Sequence, residues 1–113
     1  MEFGQLPQVD AASVPSDALV LDVREDDEWA AGRAEGALHI PMSEFVGRLG
    51  ELTERAGEGE RVYVVCRVGG RSAQVTQYLR QQGVDAVNVD GGMLAWEAAG
   101  RPLTADAESA YVL

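Results

Sequence analysis

The stretch from Val62 to Gly83 limits most strongly what this chain can fold into. Val62-Tyr63-Val64-Val65 sets four β-formers in a row, which predicts a strand buried on both faces. After Ser72, the residues Val75, Tyr78 and Leu79 recur at helical spacing, and Gly83 is placed to follow the last turn. Between strand and helix lies a short turn, Cys66-Arg67-Val68-Gly69-Gly70-Arg71-Ser72. A strand–loop–helix of this kind gathers the N–H groups of the loop and the helix N-terminus around one point. Cys66 sits at that point. The arrangement is suited to an anion, and its charge favours a thiolate.

The remaining composition narrows the chemistry. A chain of 113 residues has room for one domain and one core. No apolar run approaches the roughly 20 residues that span a bilayer, and the N-terminus lacks the pattern of a signal peptide. One cysteine excludes an internal disulfide, and a free thiol fits a reducing compartment, so a cytoplasmic location is expected. The formal charge of −10 argues against nucleic acid and membrane partners. All nine basic residues are arginines, which excludes Schiff-base chemistry and a lysine-type phosphate loop. His39 is the single histidine, and with Cys66 it cannot supply the four ligands of a usual zinc site. Neither a metal nor an organic cofactor is expected.

Along the chain, residues 6–9 predict a short edge strand in which Pro7 is tolerated, and Asp10 is a candidate cap for a helical turn. Residues 18–24 predict a second buried strand ending at Asp22 and Arg24. The acidic run Glu25-Asp26-Asp27-Glu28 suits the first turn of a short helix, with Trp29 toward the core and Gly32 at its end. Those acids read as a solvated helix start, or else as a docking patch for a basic partner. Residues 36–41 predict a short strand closed by Pro41. His39 lies in it, where an imidazole packs or hydrogen-bonds locally rather than pairing with Cys66. Ser43 is a candidate N-cap for a helix carrying Phe45, Val46, Leu49 and Leu52 on one face. Residues 51–61 read as a charged connector. Residues 86–89 predict a further strand, Asp90-Gly91-Gly92 a tight turn, and residues 93–99 a helix carrying Trp96. Residues 103–113 show no period and read, with about 1–5, as surface tails of a single domain over 1–113. Strands and helices alternate, which predicts a parallel sheet with helices on both faces and a ligand site beyond the carboxyl ends of its strands. Cys66 is at such an end.

Four stretches in this order resemble the single-domain rhodaneses, a thiosulfate sulfurtransferase-like family. They are Leu21-Asp22-Val23-Arg24-Glu25, Gly36-Ala37-Leu38-His39-Ile40-Pro41, the loop from Cys66 to Ser72, and Gly91-Gly92-Met93-Leu94-Ala95-Trp96. The resemblance implies a rhodanese-like α/β fold with a five-stranded parallel sheet, and Cys66 as the catalytic cysteine. One departure is Gly32-Arg33-Ala34, where the family usually has Gly-His-Ile. Cysteine phosphatases, including those sharing this fold, have a loop one residue longer. Here four residues separate Cys66 from Arg71, as in the sulfurtransferases.

The implied reaction moves a sulfane sulfur. A free cysteine is only about 3% thiolate at pH 7, and lowering its pKa by about two units asks for about 2.7 kcal/mol. Two arginines, a helix N-terminus and loop N–H groups are the expected sources. The thiolate would take sulfur from thiosulfate or a persulfide. It would hold it as a Cys66 persulfide cradled by residues 67–72, namely Arg67, Val68, Gly69, Gly70, Arg71 and Ser72. It would then pass the sulfur to cyanide, a thiol or a protein. Arg67 is expected to reach the donor's anionic end, and Arg71 either to do the same or to brace the loop through a carboxylate. A persulfide carrier and a non-catalytic interaction module are the alternatives, with a small-anion reductase or a phosphatase behind them. The expected partners are a small anionic sulfur donor and a thiol or protein acceptor, on a monomer or weak dimer.

Overall fold

The structure is a computed structural model that describes residues 6–113. The expected N-terminal tail, residues 1–5, lies outside the described residues. Strands β1 (Gln8–Asp10) and β2 (Leu19–Asp22) come first, then helix α1 (Asp26–Ala31) and the two-residue strands β3 (Arg33–Ala34) and β4 (Leu38–His39). Helix α2 (Leu49–Arg55), strand β5 (Val62–Val65), helix α3 (Gly70–Gln81), strand β6 (Ala86–Asp90), helix α4 (Gly92–Ala98) and strand β7 (Leu103–Thr104) complete the chain. Five strands pair in parallel in the order β1-β6-β5-β2-β4. The expected parallel sheet flanked by helices is present, with β5 at its centre.

The period of two along the strands assigns the faces. Leu19, Leu21, Val62 and Val64 point to one side and pack with Phe45, Leu52, Val75 and Leu79 from the α2 and α3 side. Val20, Val65 and Val89 point to the other side and pack with Met93 and Trp96 of α4. Fully burying side chains such as Leu21, Leu52 or Leu79 stabilises the fold by about 1.5–3 kcal/mol each. Cys66 continues the 62, 64 alternation, so the sheet aims its thiol to the α3 side.

Several local expectations are corrected. Residues 103–113 run along the surface and are held there by backbone pairing. Leu103–Thr104 pairs antiparallel with Arg33–Ala34, and the N–H groups of Asp106 and Tyr111 donate to the Ala30 and Ala31 carbonyls. These contacts are backbone bonds to a neighbouring segment, which leave no period in the sequence. The Arg33 that departs from the family pattern fits here: it stacks over Trp29 and bridges Asp106 at 2.8 Å. Trp29 is only half-buried and stacks on His39, with ring centroids 4.4 Å apart, because α1 lies at the sheet's rim. The region after Pro41 begins as two 3-10 turns, Met42–Glu44 and Val46–Arg48, and becomes α-helical only at Leu49. Ser43 caps nothing and donates to Glu25, while Val46 is exposed, since the tighter turns rotate it off the buried face. Part of the expected connector, through Arg55, is helix. Asp10 precedes the 3-10 turn Ala11–Ser13 but makes no side-chain cap bond.

The strongest polar element of the core is a buried ion pair. Arg24 Nε and Nη2 donate to both oxygens of Asp22, with the shortest distance 2.7 Å, and Nη2 also donates to the Gly32 carbonyl. Both side chains are fully buried. The pair ties the carboxyl end of β2 to the end of α1. Replacing Asp22 with Ala would leave a buried guanidinium unpaired and should destabilise the fold by about 3–5 kcal/mol. Urea unfolding checks this: the midpoint should fall steeply at an unchanged slope. A loss below about 1 kcal/mol, the range of an exposed pair, would show that the pair does not hold the β2–α1 junction.

Candidate active site

The loop after β5 is shaped by what its carbonyls are bonded to. Met93 N–H donates to the Cys66 carbonyl at 2.8 Å and Leu94 N–H to the Arg67 carbonyl at 3.1 Å. The first turn of α4 thus holds both oxygens outward. In a trans peptide the N–H of the next residue points the opposite way, so the Arg67 and Val68 N–H groups turn to the inner side. Gly92 makes this approach possible. A Cβ there would lie 2.7 Å from the Arg67 carbonyl oxygen and inside contact with that of Cys66. At the other end of the loop Gly69 has φ of 113°, a conformation favouring glycine, and its carbonyl accepts from Ala73 and from Asn88 Nδ2.

Cys66 Sγ lies on the inner side, at 1% relative exposure. Gly69 N–H donates to it at 3.0 Å, and Ser72 Oγ is 3.3 Å away. Burial pushes the thiol's pKa up. The Ser72 hydroxyl and the N–H groups of Ser72, Gly69 and Val68 pull it down by more, so the net direction is below an ordinary cysteine. These neutral donors act ahead of arginine charge, although Arg71 is near enough to interact electrostatically with Cys66. Both guanidiniums are engaged elsewhere. Arg71 makes a two-pronged bond to Glu28 of α1, at 2.7 and 2.9 Å. Arg67 Nε donates to the Leu113 carbonyl at 2.9 Å.

Arg71 therefore braces the loop through a carboxylate, one of the two roles expected of it. Its hydrogen bonds hold the Glu28 carboxyl below the usual carboxylate range against the opposing effect of burial. Glu28 Oε1 also accepts from the Glu25 N–H, so one side chain fastens the start of α1 to the start of α3. The acidic run is thus not wholly solvated: Glu28 is a structural partner of the loop. His39 is remote from this chemistry, bonding the Arg24 carbonyl at 2.8 Å through Nε2. Among the described residues no group of three or more His, Cys, Asp and Glu is placed to hold a metal ion.

Val68 is exposed on the outside of the loop, and Gly70 opens α3. The residue that sequence reasoning missed is Asn88. It lies in β6 at 2% exposure, accepts from Ser72 Oγ at 2.6 Å, and donates to the Gly69 carbonyl and to Gln8. The available signal was an amide inside an otherwise apolar buried strand, where a polar side chain requires partners.

The Rhodanese-like domain family matches residues 8–99. The chain is 42% identical over 83 residues to "Putative sulfurtransferase YtwF" of Bacillus subtilis (strain 168), covering 74% of this chain and 77% of that one. It is 38% identical over 90 residues to a "Sulfurtransferase" of Allochromatium vinosum, covering 79% and 80%. A solved rhodanese-like domain protein from Staphylococcus aureus superposes with a TM-score of 0.71 at 33% identity, over 90% of this chain and 100% of that one. With a matching family over residues 8–99, the fold of its solved relatives and a cysteine loop at the carboxyl edge of the sheet, the chain belongs to the Rhodanese-like domain family.

Proposed function

We propose that this protein is a sulfurtransferase that carries sulfane sulfur on Cys66. The sulfur would come from thiosulfate or a persulfide and go to a thiophilic acceptor: cyanide, a thiol or a protein. The observation that carries the reading is the convergence of N–H donors on Cys66 Sγ, in a loop with only four residues between Cys66 and Arg71. The names of the curated relatives support the same class of reaction.

The chemistry follows from the geometry. The Cys66 thiolate attacks the outer sulfur of thiosulfate. A sulfur–sulfur bond forms on Sγ, the bond to the sulfonate sulfur breaks, and sulfite leaves with that electron pair. The negative charge then sits on the outer sulfur, among the loop N–H groups, which stabilise an anion without reorganising. An acceptor such as cyanide attacks that sulfur, leaves as thiocyanate, and restores the thiolate. Arg67 stands at the rim and would meet the sulfonate, exchanging its bond to the Leu113 main-chain oxygen for one to the donor. Because Sγ is nearly buried, only a slender terminal sulfur reaches it easily.

Two outcomes are expected. The rate of Cys66 alkylation against pH should show an inflection below the value of about 8.5 for a free cysteine. An inflection at or above that value would mean that burial outweighs the donors.

Steady-state transfer from thiosulfate to cyanide tests the loop itself. Cys66→Ser should abolish it while the fold persists. Inserting one glycine between Gly69 and Gly70 widens the ring and should cost about 100-fold or more, the scale of a lost oxyanion donor. That loss should exceed the effect of Arg67→Ala, which removes a charge and leaves the ring intact. Wild-type rates in the widened loop would remove loop length as the basis for preferring sulfur over a phosphoryl group.

A further inference from the structure

Ser72 has one hydroxyl proton and two acceptors facing it. Cys66 Sγ lies at 3.3 Å and Asn88 Oδ1 at 2.6 Å. The orientation of the Asn88 amide is fixed by its other contacts. Its Nδ2 faces the Gly69 carbonyl, which can only accept, so Oδ1 must face Ser72. An oxygen pair this close requires a proton between the two atoms, and Oδ1 has none to give. The Ser72 proton therefore points at Asn88, and Ser72 presents a lone pair to the sulfur. A thiol S–H or a neutral sulfur accepts that arrangement. A thiolate does not.

We propose that Asn88 is a positioning residue that weights the free thiolate against the sulfur-loaded form by competing with Sγ for the Ser72 proton. This rests on the sulfur-transfer reading above and adds a residue to it. In the free thiolate the charge is on Sγ, and Ser72 turns its proton to the sulfur. Asn88 Oδ1 is then left unpaired at a buried position, which is unfavourable. In the persulfide the charge has moved to the outer sulfur, Sγ is neutral, and the proton returns to Asn88. Loading thus relieves an unsatisfied amide oxygen, and unloading restores it. The amide also donates to the carbonyl of Gly69, the residue whose N–H faces Sγ, so one side chain touches both Ser72 and the loop backbone.

The charged groups around the site are Arg67 on the loop, Arg71 on α3 with Glu28 on α1, Glu25 beside them, and the buried Asp22–Arg24 pair at the end of β2. None is altered by changing Asn88 or Ser72, so a double-mutant cycle isolates the hydroxyl.

The test is the pH profile of Cys66 alkylation in the wild type, Asn88→Ala, Asn88→Leu, Ser72→Ala and the Ser72→Ala/Asn88→Leu double variant. Releasing the Ser72 proton should lower the inflection, so that alkylation near pH 6 becomes about three- to tenfold faster in the Asn88 variants. The acceleration should vanish in the Ser72→Ala background. Unchanged or slower alkylation in a folded Asn88 variant would overturn the proposal. So would an acceleration that persists without Ser72, because Asn88 would then act through the loop backbone. The wild type supplies a measurement independent of any variant's folding. The side-chain amide resonances of Asn88 should titrate together with Cys66 and return to their low-pH positions when thiosulfate loads the protein. Resonances indifferent to both would contradict the shared proton. If thiosulfate leaves no sulfur on Cys66 but the alkylation cycle behaves as described, the sulfur-transfer reading fails and the Asn88–Ser72 coupling stands.

Discussion

The site depends on one constraint, the two hydrogen bonds by which the first turn of α4 pulls the Cys66 and Arg67 carbonyls outward. A loop this short has few ways to point several N–H groups at one atom, because each peptide carries a carbonyl on its opposite side. The oxygens must be satisfied somewhere else. The N–H groups of Met93 and Leu94 have no partner within their own helix, and they take two of these oxygens. Gly92 lets the helix come close enough to do so. The Gly91-Gly92 turn and the cysteine loop are thus two halves of one device, although 18 residues lie between them.

A second consequence concerns charge. The protein carries a formal charge of −10, yet its proposed substrate is an anion. Distant carboxylates matter little, since charges beyond about 8 Å are largely screened at physiological ionic strength. Near the sulfur, neutral donors act ahead of arginine charge, which reaches Cys66 from Arg71. Arg71 is neutralised by Glu28 and stiffens the junction between α1 and α3, while the immediate stabilisers of sulfur charge are neutral N–H and O–H groups. Fixed dipoles at close range would suit the proposed reaction, in which the charge moves by one bond length from Sγ to the outer sulfur.

Much of this was legible in the sequence, and the limits have physical causes. The β5–loop–α3 unit was readable because a doubly buried strand, a helical period and a closing glycine are all local signals, and they fall where the structure has Val62–Val65 and Gly70–Gln81. The brace between Arg71 and Glu28 was foreseeable as a kind of contact but not as a pair, since 43 residues separate the partners. The docking of residues 103–113 was invisible because it is made by backbone groups, which every sequence possesses. Regular helices would put Val46 and Trp29 on the buried face. A 3-10 turn and a rim position moved them outward. Asn88 is not legible from the apolar period of its strand, because its role rests on partners from the loop and α3.

The most direct test of the account is the intact mass of the protein after exposure to thiosulfate. The account predicts a gain of one sulfur atom that dithiothreitol removes and that Cys66→Ser does not show. A wild-type mass unchanged by thiosulfate, with Cys66 still open to alkylation, would contradict it, because the ring of donors would then activate a thiol that does not take up sulfur.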